Sequence, residues 1–176
     1  MRQYKPYFNE ITINPSTDTS KGQKYLRSIF SHDCTKEEIQ ENVELLDQFV
    51  HEDCNFLIIY GPGNNGKSVL TKILSEMFDK PQFAQGVELL EDSDLLIYEE
   101  PDDEKPLGPF PKDKKCIVVT CRSYNQFKEK SFIDEYKPSY LSLTNRFDKE
   151  NRKSFTSEEI EEISSQLASF LVVSCM

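Results

Sequence analysis

The sequence predicts an α/β domain, three layers on a mostly parallel sheet, preceded by a short helical segment. Three observations carry that prediction. Apolar runs at Phe56–Tyr60, Leu95–Tyr98 and Cys116–Val119 are short and apolar throughout, as in strands covered on both faces. The first run breaks on a glycine-rich turn and resumes at helical spacing, so strand, tight loop and helix follow one another. The later runs give way to polar residues at their C-terminal ends, where ligands of open α/β sheets bind.

Residues 1–22 are polar and read as an extended arm, with "NPSTDTSKG" as a linker. Residues 23–51 form the helical segment, with one short pattern over Tyr25–Phe30 and a second in "TKEEIQENVELLDQFV". There Thr35 is the N-cap and Glu38 its capping-box partner, while Ile39, Val43, Leu46 and Phe49 or Val50 line one face. Residues 52–176 make up the main domain, opening on the strand Phe56–Tyr60.

The turn after that strand, "GPGNNGKS", matches G-x-x-x-x-G-K-[ST], the phosphate-binding P-loop pattern. Such a loop wraps phosphates with backbone N–H groups, and the following helix adds its positive dipole end. The candidate nucleotide-binding residues are Gly61, Pro62, Gly63, Asn64, Asn65, Gly66, Lys67, Ser68 and Val69. Lys67 is placed to reach the β- and γ-phosphates of ATP, and the Ser68 hydroxyl to ligate Mg²⁺. Val69, Leu70, Ile73, Leu74, Met77 and Phe78 predict an amphipathic helix over Lys67–Phe78, ended by Pro81.

A chain that hydrolyses its nucleotide needs carboxylates near the phosphates, one to assist the metal and one to polarise the attacking water. "DSDLLIYEEPDDE" supplies a strand at Leu95–Tyr98 with Glu99 and Glu100 at its end. Glu99 is assigned to the metal and Glu100 to the water, though the two roles could be exchanged. A solvated acidic loop is the alternative, since Asp102, Asp103 and Glu104 extend the charge. Thr120 closes the next strand as a candidate γ-phosphate sensor, or simply as a strand end. A fourth strand is expected through Tyr140 or Leu141, Leu143 and Phe147, with Arg146 near its end as a candidate arginine finger or a surface ion-pair partner. Finally, Thr156 and Glu159 cap a C-terminal helix whose stripe is Ile160, Ile163, Leu167, Phe170 and Leu171.

Composition sets limits on function. With 176 residues the chain is about one domain, and 31 acidic against 21 basic residues give a net charge of -10. That balance excludes a general nucleic-acid-coating surface, though not a local basic patch. No apolar stretch spans a bilayer or resembles a signal peptide, and five cysteines without framework spacing fit reduced thiols, so no membrane partner and an intracellular location are expected. Both histidines stand near cysteines, His32 with Cys34 and His51 with Cys54. The spacing is unlike the usual zinc patterns, and buried thiols are the simpler reading.

Taken in order, "GPGNNGKS", "LLIYEE", "CIVVTCR" and "LTNRF" resemble the superfamily 3 helicase core of DNA viruses and plasmids over roughly residues 52–155. The Asn-Gly-Lys-Ser form is similar to poxvirus-type primase-helicases, and the Glu-Glu pair to parvovirus replication proteins. The resemblance implies a P-loop NTPase of the AAA+-like type that acts in DNA replication. It further implies a hexameric ring, or a subunit of a replication complex, driving single-stranded DNA with an ATP and Mg²⁺ cycle. The location implied is the cytoplasm or nucleus of a host cell. By position, Lys67 and Ser68 would hold phosphate and metal, Glu99 and Glu100 would serve metal and water, and Arg146 would be the trans arginine. The family's DNA-contacting hairpin would fall on Lys112, Lys114 and Lys115, with Phe110. Its third motif ends in Asn, where this chain has Cys121 or Arg122. That departure keeps open a nucleotide-binding scaffold that does not hydrolyse, and a small nucleotide or metabolite kinase is a further alternative.

Overall fold

Capping groups set where the helices begin. In the computed structural model, which describes residues 18–30, 34–51, 54–62, 66–83, 93–101, 109–121, 125–143 and 155–174, helix α1 spans Ser20–Phe30. It starts ahead of the expected Tyr25, inside the stretch read as a linker. The Asp18 carboxylate accepts the Ser20 N–H at 3.0 Å, and the Thr19 carbonyl accepts the Gln23 N–H at 2.9 Å, so polar residues there open a helix. Helix α2, Lys36–His51, has the expected capping box: Thr35 N–H donates to Glu38 Oε2 at 2.9 Å and Glu38 N–H to Thr35 Oγ1 at 3.2 Å.

Strand β1, Phe56–Tyr60, leads into helix α3, Lys67–Ser75, which is shorter than the expected Lys67–Phe78. Beyond Ser75 the chain tightens: Met77 N–H reaches the Leu74 carbonyl at 3.0 Å and Phe78 N–H the Ser75 carbonyl at 3.1 Å, three residues back. Met77 and Phe78 are still buried, so the apolar stripe outlasts the helix. Strand β2, Pro81–Phe83, was not foreseen, because three residues opening on proline carry almost no strand signal. Its place at the sheet edge suits a residue without an N–H.

The remaining strands are β3 (Leu95–Glu99), β4 (Lys115–Thr120) and β5 (Ser139–Ser142). Between β4 and β5 lie a 3₁₀ turn, Asn125–Lys128, and helix α4, Lys130–Tyr136, neither of them anticipated. Helix α5, Ser157–Ser174, closes the described chain, with Glu159 N–H on Thr156 Oγ1 at 3.2 Å.

All five strands are parallel, in the order β2-β3-β4-β1-β5. Alternation along each strand builds two cores. Leu57, Ile59, Leu95, Ile97, Ile117, Val119 and Leu141 face helices α1, α2, α3 and α5. Phe56, Ile58, Leu96, Tyr98, Cys116 and Val118 face a smaller aromatic layer made by Phe110, Phe127 and Phe132. Helix α1 crosses α5 at Gly22, whose N–H donates to Gln166 Oε1 at 3.0 Å and where a Cβ would lie 2.9 Å from Leu167 N.

Candidate functional site

The loop after β1 begins with Gly61 and Pro62 and returns at Gly66, while Gly63, Asn64 and Asn65 lie outside the described residues. Gly66 has φ 83°, a left-handed conformation that favours glycine, and its carbonyl accepts the Leu70 N–H at 3.0 Å to start α3. Thr71 Oγ1 ties back to the Lys67 carbonyl at 2.7 Å, steadying the first turn. Ser68 is exposed there, and Val69 is half-buried.

Lys67 is only 7% exposed, and its ammonium donates to the carbonyls of Gly61 at 2.7 Å and Pro62 at 2.8 Å. The cation therefore sits inside the loop, bridging its entry. Burial lowers the Lys67 pKa from the ordinary 10.5, and the negative charge of Glu100 opposes that shift. Electrostatics thus couples the loop lysine to the acid strand.

That strand is not the neighbour of β1. Strand β4 pairs with both, so β3 stands about 10 Å from β1, two strand spacings away. Glu99 continues the alternation of Leu95 and Ile97 onto the face that carries α3, and it is exposed. Ser68 and Glu99 are both exposed and both carry oxygen, the donor type that Mg²⁺ takes.

Glu100 turns over the end of β4. Its N–H donates to the Val119 carbonyl at 2.8 Å and its φ is 42°. Its carboxylate accepts the Cys121 N–H at 2.7 Å and lies 3.4 Å from the Thr120 hydroxyl. Lys67, Glu99, Glu100 and Thr120 are thus brought to one end of the sheet. The Cys121 N–H is not legible in the sequence, because a main-chain donor has no residue-type signature; its position just past a polar strand end is the one signal that points to it.

Other candidates are placed elsewhere. Lys115, grouped with Lys112 and Lys114 as a nucleic-acid contact, is 1% exposed: its ammonium donates to the Cys54 carbonyl at 2.8 Å and lies 5.1 Å from the Phe49 ring centroid. A cation so enclosed cannot meet a phosphate backbone, so Lys115 leaves that set. Phe110 leaves it too, packed edge-on against Phe56 at 4.8 Å and Tyr98 at 5.3 Å. Lys112 is exposed and pairs with Glu135 at 3.4 Å, while Lys114 Nζ lies 3.4 Å from Ser93 Oγ. Arg146 and His32 fall outside the described residues. His51 Nε2 lies 3.2 Å from the Ala168 carbonyl and Cys54 Sγ 3.2 Å from Ser139 Oγ. Among the described residues no group of three or more His, Cys, Asp or Glu gathers as a metal site, and no helix is long and apolar enough to cross a membrane.

No protein-family model matches the chain, and no curated protein matches it. Among solved structures it is similar to the apo C-terminal region of NrS-1. Three determinations of that region superpose with TM-scores of 0.52, 0.51 and 0.55, at 14%, 13% and 12% identity, each over 96% of this chain. The chain spans about half of that region, 48%, 47% and 48% of its length. Identity this low shows a likeness of fold alone, an α/β domain on a parallel sheet.

Proposed function

We propose that this chain binds ATP with Mg²⁺ at the loop between β1 and α3 and hydrolyses it, as a superfamily 3 helicase-type motor domain of the AAA+-like class acting in DNA replication. The observation that carries the reading is the convergence of Lys67 and Glu100 at one end of the sheet, with Thr120 between them. Lys67 exchanges the two loop carbonyls it holds for phosphate oxygens, a move its three donors permit. Ser68 and Glu99 would hold Mg²⁺, which would supply charge neutralisation on the phosphates. Glu100 accepts the proton of the attacking water. Arg146 on a neighbouring subunit completes the site in a hexameric ring, and single-stranded DNA is the polymer acted on.

Binding without hydrolysis is the second reading, favoured by the residues that follow Thr120 at the end of β4, where Cys121 or Arg122 stands in place of an Asn. Mg²⁺-dependent ATP turnover with and without single-stranded DNA separates the two. The motor reading expects turnover raised by DNA, abolished in Lys67→Ala, and lowered on the order of a hundredfold or more in Glu100→Gln with nucleotide binding retained. ATP binding that Lys67→Ala removes, with no turnover under any condition, would replace it with the binding reading.

A further inference from the structure

Thr120 joins the two halves of the candidate site. This last residue of β4 is 1% exposed, and its carbonyl accepts the N–H of Gly61, the first residue of the phosphate loop, at 3.3 Å. On the other side its hydroxyl lies 3.4 Å from Glu100 Oε2, a long contact, and the N–H of the next residue, Cys121, donates to Glu100 Oε1 at 2.7 Å. The latter is the length of a charge-assisted bond, so the amide is the stronger anchor and the hydroxyl the adjustable one. Both oxygens of the carboxylate therefore face consecutive residues, the last of the neighbouring strand and the one just past it.

The backbone of Glu100 has been bent to allow this. Its φ of 42° is a left-handed conformation, strained for a non-glycine residue and kept only where the surroundings hold it. Here the Val119 carbonyl on one side and the Cys121 amide on the other impose it. An exposed glutamate would otherwise sample several rotamers, and this one is confined.

We propose that Thr120 and the Cys121 amide position the Glu100 carboxylate, Thr120 serving hydrolysis through Glu100 and not by touching phosphate. The inference rests on the reading of Glu100 as the group that accepts the water's proton. It assigns Thr120 a role different from γ-phosphate sensing, and it explains how a strand without a terminal Asn can serve the site. Because Thr120 also carries Gly61 on its carbonyl, the loop and the carboxylate share one fixed point.

The test joins kinetics with NMR of the labelled, nucleotide-free protein. Thr120→Val, close to isosteric but lacking the hydroxyl, is expected to lower kcat about three- to tenfold with KM within about twofold, the scale of one hydrogen bond. Thr120→Ser, which keeps the hydroxyl, is expected to recover most of that loss. In the nucleotide-free protein the Cys121 amide proton should move upfield in Glu100→Gln, which replaces a charged acceptor by a neutral one. A rise in KM with kcat intact in Thr120→Val would mean that Thr120 meets the nucleotide itself and would overturn the proposal. An unmoved Cys121 amide would overturn the tether directly. Should the unmodified protein bind ATP without turning it over, the hydrolytic reading and Thr120's part in it fall together, and the amide shift still decides whether Cys121 holds Glu100.

Discussion

Cys116 and Cys121 stand on the same strand and its end, yet they live in different solvents. Burial in the aromatic layer pushes the Cys116 thiol up to about 12, whereas Cys121 is exposed beside the candidate site. A thiol that ionises at 9.0 unfolded and only near 12 folded stabilises the fold fully below 9.0 and loses that contribution as pH rises through the folded value. Denaturation followed between pH 9 and 12 should therefore lose about 1.4 kcal/mol per pH unit more in the unmodified protein than in Cys116→Val. Site residues were legible to the extent that their chemistry is local. Lys67 and Glu100 announce themselves by type and by position after a strand, but the burial of Lys115 depends on β4 extending one residue farther toward its N-terminus than its apolar run. Register across a sheet is a tertiary property, so a lysine at the end of such a run looks like any other surface cation.

Helices α1 and α5 meet at a glycine in the first turn of α1, a residue type with poor helix propensity. The requirement at Gly22 is space, since a Cβ would crowd the main chain at Leu167 and Gln166. Gly22→Ala should consequently destabilise the protein by about 1–3 kcal/mol despite its better helix propensity, read as a drop in the thermal midpoint. Helices α2 and α5 were readable because each combines a reciprocal cap with a long apolar stripe. Strand β2 and helix α4 were not, being three and seven residues long, and α4 buries only Phe132. Elements that short take their form from what they pack on, and no periodicity within them reports it.

At the scale of the molecule, the N-terminal helices cannot be separated from the sheet they precede in sequence. Tyr25, Leu26, Leu46, Phe49 and Val50 belong to the same core as Leu57, Ile59 and Leu141. Thermal unfolding monitored at several probes should accordingly show one cooperative transition, and a chain beginning at residue 54 should lose it, exposing the faces of β1 and α5 that α1 and α2 cover. The parallel sheet and its helices were legible in outline, whereas the strand order was not, because it is set by pairings between residues far apart in sequence. That order also has a consequence for synthesis. Strand β1 is the first to leave the ribosome, but its two partners, β4 and β5, begin at Lys115 and Ser139. Until they emerge, "FLIIY" has no backbone to pair with and the glycine-rich turn behind it has nothing to hang from. A nascent chain is thus exposed to aggregation while the residues between β1 and β4 are being made, and Gly61 gains its hold on Thr120 only after β4 has emerged.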